Sequence, residues 1–260
     1  MIRTLRHDDF DEIHRAFLDA FSDYFVPMKP KPEVLREMFT RRGWAPELSS
    51  AVFEGDRIVA FTLNGFEDAA GYDTGSGVVP THRRRGLARQ TIEHSIDLLR
   101  NAGATRYVLE VLEPNTGAAA LYRATGFEET RRLDCWTYEH PAAARAAHAT
   151  PAHDEWWDFQ PSWQNSTRSI ARAKDDHITI GDEDGYAILF PNTGDLAQLA
   201  VRREARRRGV ATRLLESAAA IAQKPLRILN ADARDEGMEK FLRAKGAKHL
   251  IRQIEMELTL

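Results

Sequence analysis

The chain has 260 residues, with 36 Lys and Arg against 39 Asp and Glu. At a net charge of −3 it lacks a global positive field that would attract nucleic acid, so any anion site has to be local. Its one cysteine excludes an internal disulfide, residues 1–8 are too polar for a signal peptide, and no apolar run reaches membrane-spanning length. A cytoplasmic protein with neither a nucleic-acid nor a membrane partner is expected.

Residues 2–5 read as a first strand, and Asp8 or Asp9 caps a helix with Ile13, Phe17, Ala20 and Phe21 at helical spacing. Residues 21–28 break that helix. Pro27 and Pro30 prevent continuation, and Pro32 opens a second helix through Leu35, Met38 and Phe39. A hairpin of residues 51–54 and 58–63 turns at Gly55 and Asp56, and residues 72–79 form the next strand. A helix follows Gly86, with Leu87, Ile92, Ile96 and Leu99 along one face. Residues 107–111 form a strand, and Asn115 caps a helix through Leu121 and Tyr122 that Gly126 ends. Residues 127–139 supply closing strands, with a hairpin or bulge near Arg131 and Arg132. Cys135 lies in this alternating stretch as a core thiol.

An Ala-rich segment, 141–151, reads as a linker between a first domain over 1–140 and a second over 152–260. The second half repeats the plan with strands at 177–180, 186–190, 196–201 and 226–230. One helix follows Gly209 and another precedes Gly246. No full first strand and helix are visible there, and residues 156–169 stand in their place. Trp156, Trp157 and Trp163 are candidates to fill a junction between the halves, each being able to bury a large area.

The most informative feature is a repeat. His82-Arg83-Arg84-Arg85-Gly86-Leu87-Ala88 returns 123 positions later as Ala205-Arg206-Arg207-Arg208-Gly209-Val210-Ala211. Each copy stands between a strand and a helix. Alone, an Arg run is usually a solvated surface; its recurrence in one structural context argues for a shared role. A strand that turns into a helix at a Gly can bring several backbone N–H groups close to a ligand, at the positive end of the helix dipole. That suits a phosphate or pyrophosphate, and flanking arginines add fixed charge. No Gly-Lys-Ser/Thr follows, so the loop is not a Walker motif. Gly75-Ser76-Gly77 runs into a strand, so it is not a dinucleotide fingerprint.

Three motifs occur in order: Val78-Val79-Pro80, Arg83-x-x-Gly86-x-Ala88 and Asn115-x-x-Ala118-x-x-Leu121-Tyr122-x-x-x-Gly126-Phe127. Together they resemble the GNAT superfamily of acyl-CoA-dependent N-acetyltransferases, over residues 1–140 and more weakly over 150–260. The resemblance implies an α/β fold of two tandem GNAT-like domains, each a mixed central sheet flanked by helices, with acetyl-CoA as co-substrate and no metal. It also implies site roles. The strand at Val78 and Val79 would offer free backbone groups to the pantetheine arm. The N–H groups of Arg84, Arg85, Gly86, Leu87 and Ala88 would hold the pyrophosphate, with Arg83 beside them. Asn115 would contact the cofactor or serve only as a helix cap. Tyr122 would stand near the thioester sulfur as proton donor, because a phenol stays protonated at neutral pH; an aromatic packed on a buried helix face is the alternative. Asp73 is the nearest acid for a general base, with Glu67 and Asp68 in the preceding turn, and a surface acid explains each equally well. Residues 21–28 would wall the acceptor pocket or simply pack between helices.

In the second half Leu242 stands where Tyr122 does, Asp235 where Asn115 does, and Arg203 where Pro80 does. A leucine cannot donate a proton, so this half is expected to be structural or part of the acceptor site. The expected activity is acetyl transfer to a primary amine, on a small molecule. The alternatives are acetylation of a protein or peptide amine, and a non-catalytic acyl-CoA-binding sensor or scaffold.

Overall fold

A computed structural model describes residues 1–139 and 152–260, so the linker expected at 141–151 lies outside the described residues. The chain forms two compact units, Met1–Thr130 with Glu255–Leu260, and Arg131–Ile254. The sequence reading divides the chain at 140 and 152. The structural units instead divide it at 130, and the first takes its last six residues from the far end of the chain.

The first unit orders its strands as β1 (Ile2–Thr4), β2 (Ser50–Glu54), β3 (Arg57–Glu67), β4 (Ala70–Val78) and β5 (Arg106–Leu112), followed by the C-terminal end of β11 (Lys248–Thr259). β1 to β4 are antiparallel neighbours, and β4 runs parallel to β5, so the sheet is mixed. Its helices are α1 (Phe10–Ala20), α2 (Pro32–Arg42), α3 (Leu87–Asn101) and α4 (Thr116–Ala124). Helical spacing puts Ile13, Ala16, Phe17 and Ala20 of α1 in a core with Leu35, Phe39 and Phe61. Each large side chain there contributes about 1.5–3 kcal/mol by leaving water. On α3, Thr91, Ile92, Ser95, Ile96 and Leu99 form the buried stripe. The end of α2 abuts β3 so tightly that a Cβ on Gly65 would lie 2.2 Å from the Arg42 carbonyl oxygen. Asp68 and Ala69 turn the β3–β4 hairpin with φ of 49° and 56°, the left-handed pair that a two-residue loop needs, here without glycine.

The second unit repeats this plan. β7 (Ile178–Asp182), β8 (Gly185–Phe190), β9 (Asp195–Val201) and β10 (Leu226–Asp232) are joined by α6 (Val210–Ile221) and followed by α7 (Glu236–Ala244). No counterpart of β1 appears among the described residues. The short α5 (Thr167–Arg172) precedes β7. Trp156 and Trp157, expected at a junction between halves, pack instead on this unit's own cluster of Ile170, Tyr186, Ile188 and Phe190. The Trp157 indole N–H donates to the Tyr186 hydroxyl at 2.7 Å. A half lacking its first strand and helix thus covers its sheet with the segment before α5.

Of the hairpin or bulge expected near Arg131 and Arg132, the hairpin does not form. β6 (Glu128–Tyr138) is one continuous strand. Its later part pairs antiparallel with β10, Tyr138 opposite Leu226 and Leu133 opposite Asp232. The place beside β5 goes to β11, where Arg106 pairs with Glu257 at 3.3 Å and the Leu260 N–H donates to the Thr105 carbonyl. The sequence gives no local sign of this arrangement, because each strand's pattern is satisfied by any partner of matching register.

Removing residues 255–260 is therefore expected to leave β5 as a bare edge. Amide hydrogen exchange over Arg106–Leu112 should quicken at least tenfold, since edge backbone groups open by local rather than global unfolding. Unchanged protection there would show that the first unit does not depend on β11.

Candidate active site

In the first unit β4 pairs with β5 only at Ala70, Gly71 and Tyr72, opposite Arg106, Tyr107 and Val108. Beyond Tyr72 the two strands part, while β4 stays paired with β3 as far as Val78. A register shift at Thr74 re-aims the residues that follow, a common device beside functional sites.

The loop after β4 then takes a 3-10 turn over Pro80–His82, and Arg84 and Gly86 adopt φ of 65° and 76°. Helix α3 starts at Leu87 with no side chain capping its N-terminus, so its first-turn N–H groups, Ala88 included, have no side-chain partner there. A Cβ built on Gly86 meets nothing within 4 Å, so the approach to this turn is open. The expected site residues divide by role. Val79 donates its N–H to the Val59 carbonyl, and Val78 packs with Leu87 beside Val52, Val59 and Ala60. Arg83 is held as a clamp: two 2.7 Å bonds to Asp23, one of 3.0 Å to the Ala20 carbonyl, and one of 3.3 Å to the Val78 carbonyl. Arg85 donates to the Thr81 carbonyl at 3.0 Å, and Arg84 is exposed.

Asp73 and Tyr122 meet in the gap between the parted strands. Tyr122, on the buried face of α4, donates to the Asp73 carboxylate at 3.4 Å. The same carboxylate accepts from the Ser76 hydroxyl at 2.7 Å and the Gly75 N–H at 2.8 Å. Burial outweighs these donors and pushes the Asp73 carboxyl up to about 6. Burial, with the nearby Asp73 charge, holds the Tyr122 phenol well above its usual range, so it remains a donor. A second acid, Glu110, lies two residues past Val108, where β5 has just left β4, and Tyr72 donates its hydroxyl to it. Ser76, Tyr72 and Glu110 escaped the sequence reading. A polar residue inside an alternating strand carries no mark that distinguishes a site from a surface.

Asn115 caps α4, its side-chain oxygen accepting from the Ala118 N–H at 3.3 Å.

The second unit keeps the backbone of this site. Its strands β9 and β10 pair only at Asp195 and Arg227, the register between β8 and β9 slips at Ala197, and Arg207 and Gly209 repeat the left-handed angles at 65° and 84°. Arg206 repeats the clamp, bonding the Val201 carbonyl and Asp158. A cavity of about 770 Å³ opens there, lined by Trp156, Phe159, Arg206, Gly209, Asn230 and Phe241. The chemical groups are gone. Leu196 stands in place of Asp73, Leu199 in place of Ser76 and Leu242 in place of Tyr122, while Asp235 caps α7 as Asn115 caps α4. Among the described residues no group of three His, Cys, Asp or Glu is placed to hold a metal, and no helix is long and apolar enough to cross a membrane.

Parted parallel strands and a left-handed loop at an uncapped helix N-terminus are present twice, and the buried phenol–carboxylate pair once, in the first unit. The chain belongs to the acetyltransferase (GNAT) family, whose model matches residues 11–127 and again 133–247. It is similar to the [ribosomal protein bS18]-alanine N-acetyltransferase of Salmonella typhimurium, at 38% identity over 76 residues, 28% of this chain and 50% of that one. The chain thus spans about half the length of that curated relative. In fold it resembles a putative acetyltransferase from Pyrococcus horikoshii, with a TM-score of 0.74 at 15% identity over 100% of this chain and 89% of the other. It also resembles a tandem GNAT protein from the clavulanic acid biosynthesis pathway, with a TM-score of 0.66 at 18% identity over 100% of this chain and 98% of the other.

The raised carboxyl of Asp73 has a consequence for stability. A carboxyl whose folded pKa exceeds its unfolded value holds its proton more tightly in the fold. Its contribution is favourable below about pH 4 and is lost as pH rises through about 6. Asp73→Asn is therefore expected to stabilise the protein at pH 7.5, by on the order of 3 kcal/mol or less, with the gain gone by pH 4. Denaturant unfolding at the two pH values checks this. A loss of stability at pH 7.5 would mean that the bonds from Gly75 and Ser76 outweigh burial.

Proposed function

We propose that the first unit transfers the acetyl group of acetyl-CoA to a primary amine, and that the second unit does not carry out this chemistry. The observation that carries this reading is the Tyr122–Asp73 pair, buried in the gap of one unit and replaced by Leu242 and Leu196 in the other. The parted edge of β4 and the uncapped start of α3 would hold pantetheine and pyrophosphate, which points the thioester toward Tyr122. The amine nitrogen attacks the thioester carbon, the carbon–sulfur bond breaks, and CoA leaves as thiolate. Asp73, ionised above pH 6, takes the proton the nitrogen gives up. Tyr122 donates a hydrogen bond to the departing sulfur. Its 3.4 Å bond to Asp73 is long, so redirecting it to sulfur costs little.

The acceptor expected from the sequence is a small amine. The match to an enzyme named for an alanine of a ribosomal protein favours a second reading, the α-amine at a polypeptide N-terminus. Thiol release from acetyl-CoA, measured against small amines and against short peptides with free N-termini, separates the two.

Two outcomes test the assignment. Gly86→Val, which adds a branched side chain at φ 76° in the open approach, should weaken CoA binding far more than Gly209→Val. Calorimetry that finds equal losses would place the main site elsewhere. Tyr122→Phe should keep the fold and CoA affinity while lowering turnover by about ten- to a thousand-fold, the range for losing a positioned proton donor. If kcat is unchanged, solvent must serve the thiolate and Tyr122 is only packed.

A further inference from the structure

A line of hydroxyl groups runs through the first unit from Asp73 to the start of α3. The Asp73 carboxylate lies 2.7 Å from the Ser76 hydroxyl, which lies 3.1 Å from that of Thr62 on β3. Thr62 stands directly opposite Ser76 in the sheet, and its hydroxyl lies 2.9 Å from that of Thr91 on α3. Thr91 ends the line, 3.1 Å from the carbonyl oxygen of Ala88 in the first turn of that helix. Thr62 and Thr91 are fully buried.

The second unit fills the same positions with hydrocarbon. Leu196 and Leu199 stand for Asp73 and Ser76, and Ala187 pairs with Leu199 as Thr62 pairs with Ser76. Leu214 follows the start of α6 as Thr91 follows the start of α3. Ala187, Leu196 and Leu214 are core residues there, with Leu199 packed against them. The shared backbone thus accepts an apolar version of the whole line. Burying a hydroxyl costs free energy unless it is hydrogen-bonded, so packing alone does not call for the threonines.

Proton counting shows what the line can do. Each hydroxyl carries one proton, so three protons serve four contacts while Asp73 is ionised. Ser76 then donates to the carboxylate, Thr62 donates to Ser76, and one contact beyond Thr62 has no proton. Once Asp73 takes a proton, every contact has one. Asp73 donates to Ser76, Ser76 to Thr62, Thr62 to Thr91, and Thr91 to the Ala88 carbonyl.

We propose that Ser76, Thr62 and Thr91 are positioning residues acting through Asp73, a hydroxyl line that reverses direction and becomes complete when Asp73 takes the proton given up by the acceptor amine. This rests on the acetyl transfer proposed above, with Asp73 as its base. Of the ionisable groups that interact with Asp73, Arg42 at the end of α2 favours its charge. Tyr24, Tyr72, Tyr107 and Tyr122 are all held above the usual tyrosine range, so Asp73 titrates among neutral phenols.

The titration midpoint of Asp73 in the free full-length protein, followed by NMR of its carboxyl carbon, tests the line. Thr62→Val and Thr91→Val keep the side-chain shape and remove a hydroxyl. Each leaves the protonated arrangement with a buried donor that has no acceptor, while Ser76 still donates to the ionised form. The midpoint should therefore fall by about one pH unit, a tenfold weaker hold on the proton. Ser76→Ala removes the donor to the ionised form and should raise the midpoint instead. A purely structural role gives no such reversal of sign between neighbours. Thr62→Ser and Thr91→Ser restore the hydroxyl and should return the wild-type midpoint. Unchanged midpoints in both valine variants, or serine variants shifted as far as the valine ones, overturn the line. The acid limb of the kcat–pH profile should move with the midpoint in each variant. Shifted midpoints with an unmoved limb overturn Asp73 as the base, and with it the reaction reading, a result distinct from loss of the line.

Discussion

The separation of β4 from β5 beyond Tyr72 is the constraint on which the rest of the first unit depends. A parallel pair that stayed closed would consume the backbone groups of β4 and leave no room between the strands. Opening it costs several ladder hydrogen bonds, and three features hold the opened geometry. β3 keeps the other edge of β4 paired, the slip at Thr74 absorbs the change of direction, and Arg83 ties the departing loop back to the end of α1. The gap then takes in Tyr122 from α4 on one side and Asp73 from β4 on the other.

The same backbone recurs in the second unit with different contents, which separates what the fold needs from what the chemistry needs. The left-handed angles at Arg207 and Gly209, the clamp of Arg206 and the slip at Ala197 all persist. Leucines occupy the positions of the acid, the hydroxyl and the phenol. Persistence of the geometry without its polar groups fits a role in architecture. The unit built from residues 131–254 frames β6, and its chain then runs on into residues 255–260, which complete the sheet of the first unit.

How much was legible in the sequence follows from how local each signal is. The helices after Gly86 and Gly209, the caps at Asn115 and Asp235 and the repeat of the Arg-rich loop are short-range patterns, and all stand at the expected positions. The family was readable from motif order and spacing. The partners of β6 and β11 were not readable, because pairing between strands far apart in the chain leaves no mark in either one. The β3–β4 turn, read at Glu67 and Asp68, lies one residue later at Asp68 and Ala69, which take left-handed angles without a glycine to mark the place. Asp73 was visible as an acid near the loop, yet nothing in its neighbours told a buried carboxylate from a surface one. What distinguishes it is tertiary: the strand gap around it and the Tyr122 hydroxyl against it.

The arginines show why charge patterns need a structure to interpret them. Three consecutive guanidinium groups before a helix invite the reading that they grip the phosphate. In both units the first of the three instead bonds a carbonyl of the preceding strand and an aspartate from a distant loop, Asp23 after α1 and Asp158 before α5. An ion pair at such a position is partly exposed, so its direct worth is small. Its effect is geometric, because it fixes the angle at which strand leaves for helix and hence the direction of the first-turn N–H groups. In the reading proposed above, anion recognition would fall to the uncapped backbone, whose dipole requires no net positive charge on the protein. That is how a chain with a formal charge of −3 can carry two such loops. Losing the Arg83 clamp would also free the 21–28 segment at its Asp23 end, so the loop that presents the helix N-terminus and the loop after α1 are held by one side chain.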